Sequence, residues 1–144
     1  MLTQGIPVGG LHTVGQIVAT NDLQFHAQQN GLAIAVALLS THTAGSPVVD
    51  GQGRYIGFIN EFDVMRTLAA GEDLGKLVAE DIMRKDRLAV TPSTQIAEAS
   101  AKMEEHHVFN LPVVDHNGVV TYSVSRHDLL RAWIGLGVGM GLDP

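Results

Sequence analysis

Short apolar runs bounded by turn residues alternate with segments of helical period along this chain. Leu23 to Ala27 reads as a strand. After Asn30, a residue suited to an N-cap, Leu32, Ala35, Val36 and Leu39 fall at helical spacing, which predicts a helix with those four side chains on the core. Pro47-Val48-Val49 predicts a buried strand and Asp50-Gly51-Gln52-Gly53 a hairpin turn. Tyr55 to Ile59 is the return strand, and Phe62 to Ala70 a second helix closed by Gly71-Glu72-Asp73. The succession then returns. Leu88 to Val90 reads as a strand, and Thr91-Pro92-Ser93-Thr94 supplies hydroxyl caps and a proline stop before a helix. That helix carries Ile96, Ala99 and Met103 as its apolar stripe. Leu111 to Val114, the turn Asp115-His116-Asn117-Gly118, Val119 to Val124 and a helix from Asp128 to about Ile134 complete the second round.

One shift of 65 residues superimposes the two rounds, pairing Pro47 with Pro112, Asp50 with Asp115, Gly53 with Gly118, Asp63 with Asp128 and Arg66 with Arg131. An internal repeat of this kind constrains architecture more than propensity does. Thr13 to Val18, a short helical turn or connector, has its partner in Val78-Ala79-Glu80-Asp81-Ile82-Met83. The expectation is an α+β fold of mixed α/β character, made of two β-α-β-β-α units. Each is too small to bury both faces of its elements alone. The boundaries read as a Gly-rich arm over 1–12, a first unit over 13–71, a linker over 72–77, a second unit over 78–134 and a Gly-rich tail over 135–144.

Composition narrows the function. With 144 residues, 45% hydrophobic and 17% charged, the chain reads as globular. A net charge of −6 argues against a nucleic-acid partner, which requires a basic face for phosphates. The absence of cysteine excludes disulfides and thiolate metal sites. The longest apolar run, Leu32 to Leu39, is too short to span a bilayer, and the first residues lack the positive charge that opens a secretory signal. These features point to a soluble cytoplasmic protein without a membrane partner.

Candidate chemistry gathers where strand meets helix, at Asn60-Glu61-Phe62-Asp63 and Ser125-Arg126-His127-Asp128. A carboxylate there can accept hydrogen bonds from both hydroxyls of a ribose, each charge-assisted bond contributing about 1.5–3 kcal/mol. Asn60 or Ser125 can reach ribose or phosphate, the helix start offers backbone donors to an anion, and Arg66 or Arg131, one turn on, can meet a phosphate. The plainer reading is that Asp63 and Asp128 complement helix dipoles, worth about 0.3–1 kcal/mol each. The seven histidines do not form an i, i+4 pair on a helical face. Glu104 and His107 can chelate at i, i+3 but read better as a solvated helix end. No Ser/His/Asp order, phosphate loop or zinc-hydrolase pattern is present, so no catalytic or metal site is predicted. Trp133 and the tail read either as an oligomer contact or as a frayed end.

Ser46-Pro47-Val48-Val49-Asp50 and Leu111-Pro112-Val113-Val114-Asp115, each followed by a glycine turn, a strand and a hydroxyl-x-x-Asp element, resemble the cystathionine β-synthase (CBS) domain, which occurs in tandem as Bateman modules. The resemblance covers roughly residues 13 to 134. It implies two units packed as a pseudo-two-fold pair and a non-enzymatic regulatory, energy-sensing role. It further implies an adenine nucleotide ligand (AMP, ADP or ATP), no required cofactor, a homodimer of disc shape and a partner protein to receive the signal. The rival class is a structural dimerisation module without ligand. Crosswise clefts are implied: one holding Asn60, Asp63, Ile82, Met83, Lys85, Val108, Phe109 and Asn110, the other Ser125, Asp128, Gln16, Val18, Thr43 and Ala44. The second matches the family better, since Asn60 stands where a hydroxyl is usual. Tyr122 stands where the family has a glycine, kept as Gly57 in the first copy, and is placed either to stack on a base or to obstruct it.

Overall fold

The computed structural model describes residues 10–18 and 21–135. Most of the expected arm and tail, at 1–9 and 136–144, lies outside the described residues. In chain order the elements are β1 (Phe25–His26), α1 (Gly31–Thr41), β2 (Gly45–Val49), β3 (Tyr55–Asn60), α2 (Glu61–Ala69), α3 (Ala79–Ile82), α4 (Ile96–His106), β4 (Asn110–Val114), β5 (Val120–Ser125) and α5 (Arg126–Trp133). Single 3-10 turns form at Val14–Gln16 and Leu74–Lys76. The mixed α+β architecture is the one expected.

Two compact units result. One comprises Leu23–Leu88 with His116–Val120, and the other the described parts of Met1–Asp22, Ala89–Asp115 and Thr121–Pro144. Membership follows hydrogen bonding and not repeat order. Ala79 N–H donates to Gln29 O at 2.9 Å and Glu80 N–H to Ala27 O at 3.0 Å, which ties α3 to the start of the first repeat. In the other unit Ile96 N–H donates to His12 O at 2.9 Å and Gly15 N–H to Pro92 O at 2.8 Å.

In the Leu23–Leu88 unit, β1 runs parallel to β2 with Phe25 opposite Val48, and β2 pairs antiparallel with β3, Gly45 opposite Asn60 and Val48 opposite Gly57. Pro47, Val48 and Val49 are buried as predicted, and the strand begins earlier than expected, with Gly45 and Ser46 also buried in it. The hairpin turn is held by Asp50, whose Oδ1 accepts the N–H of Gln52 at 2.9 Å and of Arg54 at 3.0 Å. These backbone donors, Arg54 first, hold the Asp50 carboxyl below the usual carboxylate range. Phe25, Ile34, Leu38, Val48, Ile59 and Val64 form the centre of the core.

Helix α1 corrects one expectation. Asn30 caps it as predicted, its Oδ1 accepting the N–H of Leu32 and Ala33. The buried stripe, however, is Gly31, Ile34 and Leu38, while Leu32, Val36 and Leu39 face outward and Ala35 is half-buried. Because the helix is apolar on every side, helical period alone does not distinguish the stripe that faces the core from the one that faces outward.

In the other unit β4 and β5 form a two-stranded sheet. The expected strand at Leu88 to Val90 contributes a single parallel bridge, Val90 to Val113. Ile96, Ala99 and Met103 are buried on α4 as predicted. The Thr91–Thr94 hydroxyls do not cap that helix: Thr94 Oγ1 accepts Thr91 N–H at 3.0 Å, closing a turn, and the N-cap is Gln95 without a side-chain bond.

The repeat is realised down to backbone angles. Gly53 and Gly118, in the two hairpin turns, both have φ of 79°, a region where a side chain is strained. His42 and His107 end α1 and α4 in the left-handed conformation, at φ 53° and 55°. Gln16 Oε1 accepts Thr13 N–H at 3.0 Å and Asp81 Oδ2 accepts Val78 N–H at 2.9 Å, so the short helical turns of the two copies are also capped alike.

Candidate functional site

Each predicted acid sits at the third position of a helix that begins where a strand ends. At α2, Asn60 Oδ1 accepts Asp63 N–H at 2.8 Å, and Asn60 N–H donates to Asp63 Oδ2 at 2.9 Å. At α5, Ser125 Oγ accepts Asp128 N–H at 3.0 Å, and Ser125 N–H donates to Asp128 Oδ2 at 2.9 Å. Both corners are therefore capping boxes, and the amide of Asn60 does what the hydroxyl of Ser125 does. One carboxylate oxygen of each acid is occupied by its own backbone, so the dipole reading and the ligand reading apply to different oxygens of one group.

The second oxygens differ. Asp63 is 4% exposed and its Oδ1 accepts a bond from the Arg66 guanidinium, with Arg84 Nε 3.6 Å from Oδ2. Thr67 Oγ1 donates to Asp63 O at 2.9 Å, so the first turn is tied twice. A hollow of about 580 Å³ opens beside this corner, lined by Asp63, Arg66, Thr67, Asp81, Ile82 and Arg84 among others. Asp128, by contrast, is half-buried, and among the described residues its Oδ1 has no hydrogen bond or ion pair. Arg131, half-buried one turn on, likewise forms no ion pair there.

Other predicted site residues fall into place unit by unit. Ile82 is buried on the hollow beside Asp63, and Met83 packs against Gly57. Lys85 is exposed, and the cation beside the acid is Arg84. The family resemblance implies Lys85 at this place, and its neighbour holds it instead. The signal that favours it is strand alternation, because this segment bridges β3 at Phe58. Thr43 bonds Thr41, and Ala44 O accepts Glu61 N–H at 2.9 Å, next to the start of α2.

In the other unit Phe109 O accepts Arg126 N–H at 2.9 Å, the counterpart of Ala44. The Arg126 guanidinium lies 5.3 Å from the Phe109 ring centroid, a cation–π distance. Val108 and Phe109 line a groove of about 650 Å³ with Glu104, His107, Arg126 and Trp133, which does not reach Ser125 or Asp128. Asn110 is buried at the start of β4. Gln16 is occupied by the N–H groups of His12 and Thr13, and Val18 is exposed. The Tyr122 hydroxyl donates to Val14 O at 3.1 Å, and burial pushes its pKa up. Among the described residues no three His, Cys, Asp or Glu side chains gather as for a metal, and no helix is long and apolar enough to cross a membrane.

A chain with two α+β repeats, each turning from strand to helix through a capped acid, belongs to a definable class. The CBS domain matches residues 14–70 and 78–135, and the chain is a member of that family, as a tandem pair. It is 31% identical over 87 residues to the CBS domain-containing protein YhcV of Bacillus subtilis, covering 60% of this chain and 61% of that one. The chain spans from 16% to 61% of the length of the curated relatives it matches. Among solved structures, the CBS domain pair of protein MJ0100 in complex with 5′-methylthioadenosine and S-adenosyl-L-methionine superimposes with a TM-score of 0.73 at 24% identity, covering 83% of this chain and 93% of that one. The complex of CBSX2 (a CBS-pair protein of Arabidopsis thaliana) with AMP gives 0.72 at 23% identity, covering 85% and 96%. At these identities the likeness concerns the fold.

Proposed function

We propose that this chain is a non-enzymatic regulatory module that binds an adenosine compound, AMP, ADP or ATP, and passes the change to a partner protein. The observation that carries the reading is the Asp128 corner. Its Oδ2 is fixed by Ser125 N–H, so the group is oriented, while Oδ1 has no partner among the described residues. A carboxylate held in this way can take a ribose hydroxyl without giving up a bond it already makes. Arg131, on the same helix, is the cation for a phosphate. The relatives solved with AMP, or with 5′-methylthioadenosine and S-adenosyl-L-methionine, support the adenosine class. The binding free energy can bias a conformational equilibrium only through different affinities for its states.

Asp63 favours a second reading for its own corner. Its carboxylate is already met by Arg66 and Arg84, so a sugar must compete with two guanidinium groups. There the acid serves the fold, as in a structural module without ligand.

Thermal denaturation with AMP, ADP, ATP, NAD and S-adenosylmethionine tests the proposal. A ligand at a hundred times its dissociation constant adds about 2.7 kcal/mol of stability. The expected result is a shift with at least one adenosine compound, lost in Asp128→Asn. No shift with any of them would leave the structural reading in its place.

A further inference from the structure

The groove between α4 and α5 carries Met103, Val108, Phe109, Leu129, Leu130 and Trp133 on its walls. It lies wholly within one unit. Two of these apolar side chains are left largely in solvent, Phe109 at 52% and Leu130 at 60% exposure. The chain leaves α5 beside this groove. Trp133 is the last residue of the helix, and Gly135 has φ of 90° and donates its N–H to Ala132 O at 3.2 Å. That bond is one half of a Schellman ending, with Ile134 as C-cap and Gly135 as the left-handed residue after it. Such an ending commonly packs the residue after the glycine against an apolar side chain one turn back in the helix. Here those two residues are Leu136 and the exposed Leu130.

Beyond Gly135 the sequence Leu136-Gly137-Val138-Gly139-Met140-Gly141-Leu142 alternates an apolar side chain with none and carries no charge. Helical spacing would scatter the four apolar residues around an axis, and glycine at every second position opposes a helix. An extended chain puts all four on one face. We infer that residues 136–142 lie along the α4–α5 groove of their own chain as an extended segment, with Leu136, Val138, Met140 and Leu142 turned into it. Six extended steps span about 20 Å, against about 12 Å for the eight residues of α5, so the segment is long enough to cover the helix. An uncharged segment also loses less than a charged peptide on entering an apolar groove. Being attached, it meets its own groove at an effective concentration on the order of millimolar, far above that of any second molecule in a micromolar solution. The groove does not reach Ser125 or Asp128, so the inference stands or falls apart from the nucleotide reading.

The single tryptophan of the chain, Trp133, lines the groove, so its fluorescence reports what covers it. Val138→Asp combined with Met140→Asp is expected to shift Trp133 emission to longer wavelength and to increase its quenching by acrylamide. Gly137→Ser combined with Gly139→Ser, on the opposite face of the segment, is expected to leave both unchanged. Disulfide formation provides the second measurement, since the chain has no cysteine of its own. Glu104→Cys, at an exposed position lining the groove, is paired in turn with a cysteine at each of positions 137 to 140. Bonds within one chain are expected to form faster with Val138→Cys and Met140→Cys than with Gly137→Cys and Gly139→Cys. Equal rates at all four positions overturn the inference, because an undocked tail has no preferred face. So does Trp133 emission indifferent to Val138→Asp with Met140→Asp. Disulfides that join two chains instead of closing within one also overturn it, by assigning the groove to the tail of a second copy.

Discussion

Arg84 Nε lies 3.6 Å from Asp63 Oδ2, on a carboxylate whose other oxygen is held by Arg66. Arg84 is fixed there by its backbone, because its N–H donates to Phe58 O at 2.8 Å and its carbonyl accepts Phe58 N–H at 2.9 Å. Its Nε is buried without a hydrogen-bond partner, so the nearby charge is the main compensation for that desolvated group. Asp63→Ala removes this compensation and leaves Asn60 N–H without its acceptor. The expected loss is about 1–3 kcal/mol. Asp128→Ala, at a half-buried corner without an ion pair, is expected to cost less than about 1.5 kcal/mol. Arg66→Ala is expected to cost under about 1 kcal/mol, because the Arg66 side chain is 63% exposed and water screens the pair. Urea denaturation of the three variants at neutral pH gives the order directly. Equal losses for Asp63→Ala and Asp128→Ala would show that the guanidinium groups contribute nothing.

The same approach of the Met83–Arg84 segment explains Gly57. A Cβ at that position would stand 2.9 Å from Arg84 O and closer still to the Met83 side chain. Gly57→Ala must push the segment off β3, breaking the two Phe58–Arg84 bonds, and is expected to cost about 1–3 kcal/mol. Hydrogen exchange localises the effect, with faster exchange of the Phe58 and Arg84 amides than of Val48. The matched position of the second repeat is Tyr122, whose hydroxyl is anchored on Val14 O. Tyr122→Gly is therefore expected to destabilise, the opposite preference at the equivalent site.

Both tyrosines of the chain are raised in pKa by burial, Tyr55 strongly, with Asp86 adding to the effect. The folded state favours the neutral phenol, so this contribution to stability is present below the ordinary tyrosine pKa of about 10 and is lost as pH rises above it. For Tyr55 the alkaline slope is at most about 1.4 kcal/mol per pH unit. Tyrosinate absorbance is expected to stay low at pH 10 in the folded protein and to rise with unfolding. Tyr55→Phe is expected to flatten the alkaline decline of stability while losing the bond from its hydroxyl to Leu88 O. Half-ionisation of both tyrosines at pH 10 without loss of fold would contradict this.

What could be read from sequence, and what could not, follows from how local each cause is. The hairpins were legible because Asp50-Gly51-Gln52-Gly53 carries its own hydrogen bonds and its own left-handed glycine. The acid corners were legible because a capping box is a contact between residues three apart, and a repeat displayed it twice. Arg84 is not legible in this way, since its position depends on which face of a bridge to Phe58 it occupies, a relation across 26 residues of chain. The assignment of α3 to the unit of the first repeat depends in the same way on bonds to Ala27 and Gln29. The membership of the packed units is thus set by pairings that no single window of sequence contains.

Helix α1 separates a core position from an exposed one between adjacent residues. Leu38 and Leu39 are neighbours in sequence and identical in chemistry, yet Leu38 is 2% exposed and Leu39 68%. Leu38→Ala opens a cavity among Phe25, Ile34 and Ile59 and is expected to cost about 2–5 kcal/mol at any protein concentration. Leu39→Ala truncates a side chain that is mostly in solvent. Its effect is expected to be under about 0.5 kcal/mol, the range of ordinary surface substitutions. Urea denaturation of both variants separates the two cases. A Leu39→Ala penalty as large as that of Leu38→Ala would place that side chain in the core, where the helical spacing of Leu32, Ala35, Val36 and Leu39 predicts it.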